Sequence, residues 1–152
     1  MALFKNVNGI DLQMSPEEEA ATLAQWADAA EEKNRINPEH VIAERKRRLD
    51  LGFDYNFGDV RGIHHFGTTD QDMLGWDEVT KASQAMIALG AGNTAITIAS
   101  ETGSAEITAI EWQQILLTAT QHRQPIWLGS FALQEMDPIP SDYASNNTYW
   151  QA

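Results

Sequence analysis

The chain has 152 residues, a formal net charge of -12 and no cysteine. That length suits one domain with a proper core, or a smaller domain with an appendage. Without cysteine there are no disulfides, thiolate nucleophiles or Cys-ligated zinc sites. The acidic balance opposes binding to phosphate backbones, so nucleic acid is not an expected partner. The one basic cluster is Arg45, Lys46, Arg47 and Arg48. It reads first as a solvated helix end and second as a contact patch for an acidic protein. The start, MALFKNVNGIDLQ, lacks the basic-then-apolar pattern of a secretory leader, and no apolar run is long enough to suggest a membrane span.

In chain order, Asn8-Gly9 stands between two short apolar-polar alternations, Leu3 to Val7 and Ile10 to Met14. This is a strong hairpin signal, because both central residues of a type I′ turn need positive φ. Ser15-Pro16-Glu17-Glu18 then predicts a helix start, with Ser15 as cap, Pro16 at the first position and Glu18 closing a capping box. The helix carries a thin stripe of Leu23, Trp26, Ala27 and Ala30. Such a stripe buries little area and needs a partner to stay ordered. Asn37-Pro38 starts a second helix, with Val41, Ile42, Arg45 and Leu49 on one face and Gly52 as its stop.

Phe53–Phe57 and Gly62–Phe66 read as strands around a turn, and Thr69 to Leu89 as a helix buried through Trp76, Val79, Ala82, Met86 and Leu89. Thr94–Ala99 and Ala105–Ile107 read as two more strands, and Thr108 to His122 as a helix burying Trp112, Ile115, Leu116 and Ala119. Pro125 is expected to end that helix, with a further strand over Ile126 to Leu133. From Asp137 the chain reads as an extended, irregular tail, but its end, Tyr149-Trp150, argues for docking. The fold class expected is α+β: antiparallel hairpins on two main helices, strand-strand-helix repeated. The divisions are 1–37 as an attachment segment, 38–52 as a linker helix, 53–134 as the core domain and 135–152 as the tail. Trp76, Val79, Met86, Trp112 and Ile115 are the expected core.

The stretch NFGDVRGIHHFGTTDQDMLGW, residues 56–76, concentrates the candidate chemistry. His64 and His65, as strand neighbours, point to opposite faces and do not share an ion without a bulge. Asp70 and Asp72 are two acids where a calcium loop needs six or more oxygens, and a helix start accounts for both. Asp59 and Arg61 flank a turn and can pair across it. There is no phosphate loop, dinucleotide fingerprint, HExxH or Gly-x-Ser-x-Gly. The expectation is therefore a non-enzyme with no cofactor, no metal, no catalytic residue and no membrane attachment.

Three pieces, GFDYNFGDVRGIHHFGTTDQDMLGWDEVTKASQAMIALG, ITIASETGSAEITAIEWQQIL and RQPIWLGSFALQ, resemble a domain that recurs in tailed-bacteriophage tail genes, often beside tail-fibre and fibre-assembly genes. The likeness covers about residues 53–134 and rests on Phe57-Gly58-Asp59, Arg61-Gly62, His64 or His65, Gly67-Thr68-Thr69, Asp72-Met73, Gly75-Trp76-Asp77-Glu78-Val79 and Thr108-Ala109-x-Glu111-Trp112. The tail 135–152 lies outside that pattern, and the double His exceeds what it requires. The opening NVNGIDLQMSPEEEAATLAQWA also looks like the start of phage tail and fibre-associated proteins.

The resemblance implies a structural virion protein of the tail, baseplate or fibre region, present in host cytoplasm during assembly. Its partners would be other tail or fibre proteins and its own copies, in three- or six-fold symmetry. The alternatives are a fibre-assembly chaperone absent from the mature particle, and a small metal-dependent enzyme or glycan binder at the tail tip. The residues expected to meet partners are Phe4, Ile10, Leu12, Trp26, Tyr149 and Trp150.

Overall fold

The computed structural model describes residues 3–151. The fold is α+β, with four helices and three two-stranded antiparallel hairpins among the described residues. The chain divides into two units, Met1–Ile36 and Asn37–Ala152.

In the smaller unit, β1 (Phe4–Val7) pairs with β2 (Ile10–Gln13) through Asn8 at φ 50° and Gly9 at φ 86°, the left-handed pair that the turn demands. Helix α1 (Pro16–Asn34) opens with the reciprocal Ser15/Glu18 capping box. Hairpin and helix are tied by a Lys5–Glu18 ion pair and by the Thr22 hydroxyl on Met14 Sδ at 3.7 Å. The register sets the two faces of the hairpin. Val7 opposes Ile10 and Lys5 opposes Leu12, so these four share a face. Phe4 opposes Gln13 and lies on the other face with Asn6 and Asp11.

The larger unit begins with α2 (Pro38–Leu49), capped by Asn37 with His40 in the reciprocal position. It falls within this unit. Gly52 follows at φ 72°, where an added Cβ would strike the Phe66 carbonyl and sit 2.6 Å from His65 Nε2. Then come β3 (Phe53–Asn56) and β4 (Ile63–Phe66), α3 (Asp70–Ala88), β5 (Ala95–Ser100) and β6 (Gly103–Thr108), and α4 (Ala109–Gln134). Helices α3 and α4 start with Thr69/Asp72 and Thr108/Glu111 capping boxes.

The core lies where α3 and α4 meet the two hairpins. Phe53, Phe66, Trp76, Ile98, Ile107, Trp112 and Ile115 are buried together, with Val79 packed against them. Trp76 and Trp112 meet at 5.0 Å between ring centroids, and Trp112 Nε1 donates to Thr80 Oγ1 at 2.9 Å. The tryptophan thus buries its body without orphaning its N–H. Met86 is only half-buried and stands outside this cluster.

The buried face of α3 also departs from expectation. Ala82 is exposed and Leu89 is 84% exposed, whereas Ser83 is fully buried. Seven residues beyond Trp76, Ser83 returns to the same side of the helix, while Ala82 and Leu89 fall on the far side. The Ser83 hydroxyl is satisfied by Thr80 O at 2.9 Å and Gln113 Nε2 at 2.7 Å.

Pro125 does not end α4, and residues 126–133 are helical rather than a strand. A proline inside a helix removes one backbone hydrogen bond and costs about 3 kcal/mol or more. Burial on both sides offsets this. Trp112, Ile115 and Ala119 precede the proline, and Ile126, Gly129, Ser130 and Leu133 follow it, all buried. The first half packs on α3 and the core, while the second half takes α2 and the C-terminal segment.

That segment is not a loose tail. It turns back and ends in a 3₁₀ helix, Asn147–Trp150, lying across Gly129. An added Cβ there would collide with the Tyr149 carbonyl and sit 3.0 Å from Trp150 Cα, so only glycine admits the approach.

Candidate functional site

Three groups of side chains are candidates for function. The first surrounds the paired histidines. Tyr55 opposes His64 and Asp54 opposes His65, so the two imidazoles face opposite sides of the hairpin. His64 Nδ1 lies 2.8 Å from Ser100 Oγ, and its ring meets Phe57 edge-on. His65 Nδ1 lies 2.7 Å from Asp54 Oδ1, and Nε2 lies 2.9 Å from Leu51 O and 3.7 Å from Glu101 Oε2. With acceptors at both ring nitrogens, the Asp54 hydrogen bond first of all holds the His65 pKa above its ordinary value. His122 shifts the other way, lowered by burial and then by Arg123 and His65.

The backbone joins the same two hairpins: Glu101 N donates to His65 O at 3.0 Å, and His65 N donates to Thr102 Oγ1 at 3.1 Å. The histidines therefore fasten β3–β4 to β5–β6. Asp70 is exposed and takes Lys46 at 3.0 Å, while Asp72 is folded back onto Thr69 N and Oγ1 at 2.9 and 2.6 Å. His64, His65, Asp70 and Asp72 do not converge, and among the described residues no three His, Asp or Glu groups are gathered to hold a metal ion.

Arg61 forms the second group. It pairs with Asp59 across the turn as expected, and extends further than the sequence suggests. Its guanidinium reaches Glu106 O at 2.9 Å and Glu111 Oε1 at 2.6 Å, and stacks 4.2 Å from the Phe57 ring centroid. Asp59 is held down to about 2 by the Arg61 hydrogen bonds, and the same guanidinium lowers Glu111. Glu111 already closes the α4 capping box, so one arginine links a hairpin turn, β6 and a helix start.

The basic cluster and the aromatic end form the third. Glu44 is buried on α2 and accepts from Arg47 Nε and Arg48 Nε, each at 2.7 Å. Arg47 chiefly lowers its pKa. Arg48 also donates to Ala144 O at 2.8 Å and stacks 4.7 Å from the Trp150 ring centroid. Arg45 lies 4.1 Å from the Trp127 ring centroid and reaches Ser130 Oγ at 3.3 Å. Trp150 Nε1 donates to Tyr143 O at 2.7 Å. Trp150 is therefore not a partner-facing residue: it is 3% exposed, and Tyr149 is half-buried beside it. Lys46 and Arg47 are exposed at the helix end as expected, whereas Arg45 and Arg48 anchor other parts of their own unit. Sequence reading flagged both partners, the arginines and the aromatic end, without pairing them.

Phe4, Ile10, Leu12 and Trp26 remain, and these are 60%, 63%, 47% and 56% exposed. Val7 and Leu23 are also exposed, so the small unit leaves apolar side chains uncovered on the hairpin and on α1, with Phe4 on the hairpin face opposite Val7, Ile10 and Leu12. Trp26 follows Glu18 and Thr22 at four-residue steps, on the helix side that the hairpin engages. Compared with protein-family models, with curated proteins and with solved structures, the chain finds no match.

Proposed function

We propose that the chain is a structural, interaction-forming protein of a tailed-phage virion, in the tail, baseplate or fibre region. It docks on another tail or fibre protein through its N-terminal hairpin and helix. The observation that carries the docking is the absence of any buried residue among the described side chains of Met1–Ile36, although its apolar residues recur on the hairpin and on α1. Apolar surface arranged in this way gains stability only when something covers it. The virion setting rests on the sequence resemblance over residues 53–134 and in the opening segment. Assembly of several copies in closed three- or six-fold symmetry accompanies this reading.

Mass spectrometry of purified particles from a phage carrying this gene tests the setting. The chain should be present in stoichiometric amount. Absence from particles, combined with higher yield of soluble trimeric fibre on co-expression with the neighbouring fibre gene, would replace this reading with an assembly chaperone. A Leu12→Asp, Trp26→Asp variant tests the mode of attachment: it should fold and fail to incorporate.

A further inference from the structure

The β5–β6 hairpin has a second edge. Its two-residue turn, Glu101-Thr102, makes Ser100 and Gly103 a hydrogen-bonded pair. Alternation then directs the N–H and C=O of Thr97 and Ala99 away from β6. Among the described residues, the backbone bond on that side lies at the strand end, from Glu101 N to His65 O. The edge of β5 before it stands open. Unpaired strand edges are templates for another strand unless something blunts them. Nothing of that kind lies on β5: Ala95, Thr97 and Ala99 are small, uncharged and exposed.

The open edge borders a groove of about 500 Å³ between β5 and α3. Trp76, Val79 and Ile98 supply its apolar wall, while Asp72, Glu78 and Glu101 are its charged residues. No lysine or arginine lines it among the described residues. The groove thus combines unpaired backbone groups, an aromatic floor and net negative charge, which are the elements of strand-addition recognition. Charge decides the occupant. The groove's acidic lining attracts a basic segment and disfavours an acidic or uncharged one.

We propose that the groove between β5 and α3 receives an extended, basic segment of a partner protein, which adds as a third strand to the β5–β6 hairpin. Alternate side chains of that segment would stand over Trp76 and Val79, and its lysines or arginines would face Glu78 and Glu101. The groove is built from residues of the larger unit alone, and the proposal does not depend on the apolar residues of Met1–Ile36.

The test is titration of the full chain with a pool of octapeptides alternating lysine with apolar residues. It is read by amide hydrogen exchange at Thr97 and Ala99 and by tryptophan fluorescence. The basic peptides should bind and protect both amides. Glu78→Lys should weaken binding about tenfold, a loss that added salt also produces. Thr97→Pro removes one outward N–H, at a position where an edge strand tolerates proline, and should abolish binding without altering the melt. Peptides N-methylated at alternate residues should not bind, a control that leaves the protein unchanged. Three outcomes overturn the proposal: no binding by any basic peptide, equal binding by glutamate-for-lysine or N-methylated peptides, or β5 amides already protected by a concentration-dependent dimer.

Discussion

The two units of this chain hold their tryptophans in opposite ways. Trp112 in the larger unit is 2% exposed, packed at an angle against Trp76 and hydrogen-bonded through its N–H. Trp26 in the smaller unit is 56% exposed and lies on a helix whose described side chains include none that is buried. Both helices begin with a complete capping box, so local signals do not separate them. The difference lies in what each helix finds to pack on. In the larger unit two hairpins and two helices converge on one core, whereas α1 has a hairpin of two four-residue strands held by an ion pair and a weak thioether contact. The ends of such a helix are well specified and its stability is not.

Core truncation should give the largest effect. Trp112→Ala should destabilise the protein by about 3–5 kcal/mol, through lost burial, a cavity and an orphaned Thr80 contact. Urea unfolding monitored by circular dichroism would show it, and a melt like the parent's would remove the core assignment. Gly129→Ala should come next, at about 1–3 kcal/mol, because the 3₁₀ turn over α4 must shift. Its mark is freer access of Trp150 to a soluble quencher, with the core tryptophans still protected.

The third effect depends on pH. His65 has a raised pKa, so its contribution to stability is full below the ordinary histidine value of 6.5 and is lost as pH rises through the higher folded value. Asp59 and Glu111 are lowered, so theirs is present above the ordinary carboxylate range and disappears as pH falls, for Asp59 toward about 2. The melting temperature of the parent should therefore decline above pH 6.5 more than that of His65→Gln, and parallel slopes would contradict the His65 assignment. The smallest effect belongs to the other unit: Trp26→Ala should change the isolated protein's stability by no more than about 0.5 kcal/mol, as exposed substitutions do. A loss as large as that of Trp112→Ala would show that α1 already has a partner within the chain.

What was legible in the sequence was local. The Asn8-Gly9 hairpin follows from φ preferences at two residues, and the boxes at Ser15, Thr69 and Thr108 from side chains three residues apart. The α+β class follows because these signals bound most elements. What failed depends on residues distant in sequence. Pro125 reads as a stop, yet α4 continues because α2 and the C-terminal turn pack on its second half. The face of α3 was misjudged because Ser83, polar by type, has Gln113 waiting on α4. Arg48 and Trp150 lie about a hundred positions apart, and no periodicity joins them. The faces of the first hairpin belong with the local signals, because its two-residue turn implies the register that separates Phe4 from Ile10 and Leu12.

Amide hydrogen exchange over the whole chain, free and in the assembled particle, tests the central contrast most directly. In the free protein, α4 should exchange only through global opening, while α1 and its hairpin exchange orders of magnitude faster. On assembly, residues 4–34 should become protected, because the surface around Ile10, Leu12 and Trp26 is then covered. Protection of α1 in the free protein equal to that of α4, or no gain on assembly, would contradict the account.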